Sequence, residues 1–186
     1  MPSIRSLGVT LDVAPLVAQI AANPTVWNRQ DVRLYGPHSK LSDIWIRYNA
    51  WENFKDRESF NAPHESVWYP VAEEIPAVKD LIFDVMRLVR GERLGGVLIT
   101  KIPAGEECKP HRDGGWHAAY YEKFAVQLAC APGQAFCFED SRLSASVGEV
   151  YTFDNSRTHW VENNSDNDRI TLICCIKRSL QDWKNS

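Results

Sequence analysis

The chain has no Cys-x-x-Cys pair. Its five cysteines, Cys108, Cys130, Cys137, Cys174 and Cys175, are odd in number, and four of them sit in strand-like apolar runs. That pattern argues against a zinc-cysteine site and for reduced, mostly buried thiols instead of a disulfide framework. A Lys/Arg cluster is also lacking, and the formal net charge is only −3. No phosphate-tracking surface is written into the chain, so nucleic acid is not expected as a partner. No apolar run approaches the roughly 18 residues needed to span a bilayer. The stretch from Met1 to Gly8 carries no long apolar signal region. A soluble, cytoplasmic protein without a membrane partner is expected. Internal repeats, low-complexity tracts and linkers are missing as well.

What is present is enough for a core. Of the 186 residues, 44% are hydrophobic and seven are Trp, which fits one domain spanning residues 1–186. Its two parts differ in character. Residues 1–93 read as a helical and mixed flank, and residues 94–178 as a strand-rich core. In the flank, Asp12 and Pro15 open a helix that stops by Asn23 before Pro24. Residues 25–42 show no clear period and read as a loop, and 43–48 alternate as a strand. The aromatic, Pro-containing segment 50–70 reads as a long binding or lid loop. Over 74–90, Val78, Leu81, Ile82, Val85, Met86 and Val89 recur at spacings of three and four. That predicts an amphipathic helix with Gly91 as its C-cap.

From Leu94 onward, short strands alternate with turns. The strands are expected at 96–102, 108–113, 124–131, 135–139, 149–153, 159–163 and 169–177. Seven such strands suggest an antiparallel sandwich or barrel.

The chemistry concentrates around Pro110-His111-Arg112-Asp113-Gly114-Gly115-Trp116. Side chains two apart on a strand share a face, so His111 and Asp113 point to one spot. His159, at the start of a later strand, supplies a third ligand. Two His and one carboxylate bind a metal and leave coordination positions open, a set typical of non-heme Fe(II) oxygenases. A lone His-x-Asp is a weak motif; its placement between a strand and two glycines carries the inference. On the last strand, Arg169 and Thr171 share a face with Ile173 and Cys175. A guanidinium facing a barrel interior calls for an anion. A dicarboxylate such as 2-oxoglutarate meets that need, gripped at one end by Arg169 with help from Thr171, its keto acid on the metal. Beyond the glycine pair, Trp116, His117, Tyr120 and Tyr121 are candidates for the mouth of the substrate pocket or, equally, for aromatic packing.

Three stretches, residues 102–113, 148–159 and 161–172, resemble the 2-oxoglutarate/Fe(II) dioxygenases, and most of all the aspartyl/asparaginyl β-hydroxylase family. The resemblance covers roughly residues 40–178. It implies a mainly β fold with flanking helices, a double-stranded β-helix (cupin-like jelly roll). It further implies Fe(II) on His111, Asp113 and His159, with the distal carboxylate of 2-oxoglutarate on Arg169. Some family members replace the acidic ligand with a small residue. This chain keeps Asp113 and so looks closer to small bacterial members, among them hydroxylases of free amino acids. The family often has an Arg and a His on the strand after the first ligands; here Lys123 or Gln127 stands in for them. The implied reaction is hydroxylation of an aspartyl or asparaginyl residue, or of a small amino-acid-like substrate. It consumes O2 and releases succinate and CO2. No side chain beyond the metal ligands is catalytic. Two rivals use the same residues: a cupin-type metalloenzyme without 2-oxoglutarate, and a non-catalytic jelly-roll binding module. The sequence does not fix an oligomeric state.

Overall fold

A computed structural model describes residues 2–179. In chain order the strands are β1 (Ile4–Thr10), β2 (Ser42–Tyr48), β3 (Val67–Trp68), β4 (Gly91–Ile102), β5 (Glu107–His111), β6 (Glu122–Ala129), β7 (Gln134–Phe138), β8 (Arg142–Leu143), β9 (Glu149–Phe153), β10 (His159–Asn163) and β11 (Arg169–Arg178). The helices are α1 (Ala14–Ala22), α2 (Arg57–Phe60), α3 (Val71–Glu74), α4 (Ala77–Val89) and α5 (Gly115–Tyr120).

Every described strand pairing is antiparallel. One sheet has seven strands in the order β1-β9-β6-β11-β4-β2-β3, and the other has four in the order β5-β10-β7-β8. They face each other as a jelly roll. Ile4, Ile102, Ala125, Tyr151 and Phe153 from the large sheet meet Cys108, Phe136, Phe138 and Val161 from the small one. Three strands of the large sheet, β1 to β3, come from before residue 94.

The outer face of the large sheet is covered by α1 and α4. Their buried residues, including Leu16, Ile20, Val78, Leu81, Ile82 and Val85, pack with Ile44, Ile46, Val97, Ile99, Leu172, Cys174 and Ile176. The apolar stripe read from the sequence of α4 is the face it buries. Each fully buried aliphatic side chain there contributes roughly 1.5–3 kcal/mol.

The end of α4 departs from expectation. Its C-cap is Arg90, in the left-handed region at φ 53°, ψ 47°. Gly91 instead begins β4, and it is needed for space: a Cβ there would come within 2.6 Å of Ile176 Cγ2 and 2.8 Å of Met86 Sδ. Residues 50–70 are not one long loop, because α2, β3 and a turn of 3-10 helix at Trp51–Asn53 punctuate them. The five cysteines are free thiols, and only Cys130 is not buried.

Candidate metal centre

The strand pairing brings the two histidines together. His159 on β10 stands directly opposite His111 on β5, and cross-strand neighbours of this kind hold their side chains in contact. Their ring centroids lie 4.4 Å apart. Asp113 arrives by a different route from the one alternation predicts. β5 ends at His111, and Asp113 lies in the turn before α5. It is held there by its own N–H, which donates to the Asn155 carbonyl at 3.0 Å. The turn carrying Asn155 is closed by Asp154, whose Oδ1 accepts from Ser156 N at 3.0 Å and Oγ at 2.6 Å.

One donor atom from each of His111, Asp113 and His159 lies within 4.8 Å of the others. The histidine tautomers are set by the main chain. His111 Nδ1 lies 2.8 Å from the Lys109 carbonyl and His159 Nδ1 lies 2.9 Å from the Arg157 carbonyl. A carbonyl can only accept, so each Nδ1 carries the proton and each Nε2 keeps a free lone pair. Burial pulls the His159 imidazole below its ordinary value, against the Arg157 carbonyl and the Asp113 charge, which favour protonation. Burial pushes the Asp113 carboxyl up, but Lys123, His159, His111 and Arg33 outweigh it and hold the group below its usual range. Two imidazole nitrogens and one carboxylate oxygen suit a divalent transition metal and leave room for further ligands.

These side chains open onto a cavity of about 580 Å³. Arg169, Thr171, Ile173 and Cys175 all line it, as the alternation along β11 requires. Arg169 is 3% exposed, yet its described hydrogen bonds go to neutral hydroxyls. Nη1 donates to Thr171 Oγ1 at 2.7 Å and Nη2 to Tyr151 Oη at 3.1 Å. Among the described residues, none of the ion pairs includes it. A buried cation with uncharged partners favours an anionic ligand.

Lys123 lines the same cavity, with Nζ 3.7 Å from Asp113 Oδ2 and 3.1 Å from Cys175 Sγ. Burial opposes its charge, but the Cys175 sulfur and the Asp113 carboxylate outweigh burial and raise its pKa. Gln127 does not line the cavity. It backs Thr171, whose hydroxyl donates to Gln127 Oε1 at 3.3 Å, and its own amide is spent on the Ala129 and Ile170 carbonyls.

Of the candidates for the pocket mouth, only His117 is among the described residues lining the cavity. Its Nε2 accepts from the Gly96 N–H at 3.1 Å, and burial, aided by Lys123, pulls it down to about 3. Trp116 and Tyr120 are not among the described residues lining the cavity. Trp116 packs among the rings of His64, His117, Tyr120 and Tyr121. Tyr120 is 38% exposed and lies beneath Arg93 and Lys177. These residues belong to α5, a helix of six residues too short to leave a period in the sequence.

Sequence reasoning missed two further residues of the cavity wall, Arg33 and His38. Both come from the aperiodic stretch 25–42. Arg33 grips Asp43 through two hydrogen bonds at 2.9 and 2.8 Å. His38 stands edge-on to His111 with centroids 4.6 Å apart, and burial, Arg33 and His111 pull it down to about 2. Tyr151 was missed too, although alternation along 149–153 puts it on the face of Phe153.

Comparison with known proteins identifies the family and the fold. A family model described as aspartyl/asparaginyl beta-hydroxylase matches residues 25–179. The fold is similar to that of an oxidoreductase of the 2OG-Fe(II) oxygenase family from Burkholderia pseudomallei. The TM-score is 0.55 and the identity 15%, over 94% of this chain and 93% of that one. It is also similar to a viral collagen prolyl hydroxylase from Paramecium Bursaria Chlorella virus-1, solved with 2OG. There the TM-score is 0.53 and the identity 10%, over 96% and 97% of the two chains. A search of curated proteins finds no match. With five-sixths of its length covered by one family model, the chain belongs to the aspartyl/asparaginyl β-hydroxylase family.

Proposed function

We propose that the chain, read as a single dioxygenase domain over residues 1–186, hydroxylates an aspartyl or asparaginyl residue or a small amino-acid-like substrate, and releases succinate and CO2. His111, Asp113 and His159 would hold Fe(II), and Arg169 would hold the distal carboxylate of 2-oxoglutarate. The observation that carries this reading is the pairing of a two-His-one-carboxylate set with a buried guanidinium in one cavity.

When bound, Fe(II) with 2-oxoglutarate supplies the oxidising chemistry that breaks an unactivated C–H bond. The protein's own residues position and shield. The Lys109 and Arg157 carbonyls keep the protons of both imidazoles on Nδ1, so the Nε2 lone pairs stay free. Gln127 accepts from the Thr171 hydroxyl and so orients it, which leaves its oxygen lone pairs toward Arg169. Arg169 is thereby held as a fixed fork for a carboxylate. Lys123 offers a second cation beside Asp113, suited to the other end of the co-substrate or to an anionic group on the substrate. Trp45, Tyr48 and Phe60 line the cavity with apolar area that excludes water.

The absence of a carboxylate partner for Arg169 among the described residues supports 2-oxoglutarate over a cupin-type site that works without it. The test is succinate release with Fe(II), 2-oxoglutarate and O2 across a panel of free amino acids and peptides containing Asp or Asn. One class of substrate is expected to stimulate release, and Asp113→Ala to abolish it. Succinate released at the same rate by Asp113→Ala would contradict the assignment.

A further inference from the structure

The His111 imidazole belongs to two donor clusters. One is the set with Asp113 and His159; the other groups His111 with His38 and Cys108, again with donor atoms within 4.8 Å of one another. The two clusters use opposite sides of the ring. Nε2 faces the Asp113 carboxylate at 3.7 Å, whereas Cys108 Sγ stands 3.8 Å from Nδ1. The second cluster is built from separate elements. His38 ends the 3-10 turn Gly36–His38, and Cys108 sits inside β5. Cys108 is 5% exposed and, with His38 and His111, lines the cavity.

The donor sets differ in softness. Two imidazoles with a carboxylate suit Fe(II), whereas two imidazoles with a thiolate select zinc and other thiophilic ions. We propose that His38, Cys108 and the Nδ1 side of His111 form a second seat, for a thiophilic metal ion such as Zn2+, which competes with the neighbouring triad for His111. This rests on the triad reading for its consequence, not for its existence. On binding, the Cys108 thiol gives its proton to solvent and forms the metal–sulfur bond; no electrons are transferred. The competition follows from the shared ring: a metal on Nδ1 takes the atom that lies 2.8 Å from the Lys109 carbonyl in the triad arrangement.

The probe is Cd2+ added to the metal-free full-length protein, read by the ultraviolet thiolate-to-cadmium charge-transfer absorption. The band is expected in the parent and in Asp113→Ala and His159→Ala, to vanish in Cys108→Ser, and to need roughly tenfold more Cd2+ in His38→Ala. His38 lies in a partly exposed turn, so that variant reports even if Cys108→Ser fails to fold. A band that survives in Cys108→Ser, or that is unchanged in affinity in His38→Ala, overturns the seat. So does its absence from the folded parent. Because the band does not need Asp113, its loss or persistence is separable from failure of the triad itself.

Discussion

The two faces of β11 carry opposite kinds of residue on one strand. On the outer face Leu172, Cys174 and Ile176 are fully buried and pack in the apolar cluster that includes the buried side chains of α4. On the inner face, one residue out of step, Arg169, Thr171 and Cys175 line the cavity beside Lys123. The outer face converts apolar burial into stability. The inner face keeps a guanidinium and an ammonium out of water, a cost to the ligand-free protein that an anionic ligand offsets. On the proposed function, stability and recognition are separated in this sheet by a single residue step. Substitutions on each face should therefore fail in different assays.

The largest effect is expected outside. Leu172→Ala opens a cavity in a fully packed layer and should cost about 2–5 kcal/mol in chemical denaturation. At a temperature where it remains folded, its 2-oxoglutarate affinity should match the parent. A variant that loses affinity in proportion to stability would break the contrast.

Arg169→Met tests the inner face. It should weaken 2-oxoglutarate binding roughly 10–100-fold, the worth of a charge-assisted contact of about 1.5–3 kcal/mol. In the ligand-free protein it should leave the melting temperature equal or higher. The readout is the melting temperature with and without 2-oxoglutarate. A lower ligand-free melting temperature with an unchanged ligand-induced shift would assign Arg169 a structural role.

A smaller effect separates the faces by pH. His117 lines the cavity with a value near 3, below its ordinary 6.5. The folded state refuses a proton that the unfolded chain accepts, so stability is complete above 6.5 and is lost as pH falls from there toward 3. The slope is about 1.4 kcal/mol per pH unit. His117→Asn should therefore remove about 2 kcal/mol of the stability lost between pH 7 and 5, read by denaturant titration at both pH values. An unchanged pH dependence would mean that His117 takes up its proton as readily in the folded protein as in the unfolded chain.

The difference between the faces also explains what could be read in advance. Period-2 alternation on β11 is local, and it put Arg169 and Thr171 on the cavity side and Leu172 on the other. The 3.6-residue period of α4 was equally legible. His111 and Asp113 were legible as a pair, but through the wrong geometry. The strand ends at His111, and the Asn155 carbonyl, more than 40 positions away, brings Asp113 into place. A contact of that kind leaves no periodic trace. Arg33 and His38 were unreadable for the same reason: their stretch has no period, and only its packing against β2 and β5 brings them to the cavity. Gly91 was read as a cap because glycine is common there. Its cause is the approach of Ile176 from across the chain.

The account depends most on the convergence of His111, Asp113 and His159 on one ferrous ion beside Arg169. Anaerobic addition of Fe(II) and 2-oxoglutarate tests it directly, through the weak visible charge-transfer band of the co-substrate chelated to iron. The band is expected in the parent and is expected to be lost in both His111→Ala and Asp113→Ala. A folded parent that shows no band, or an Asp113→Ala variant that keeps it, would contradict the assignment.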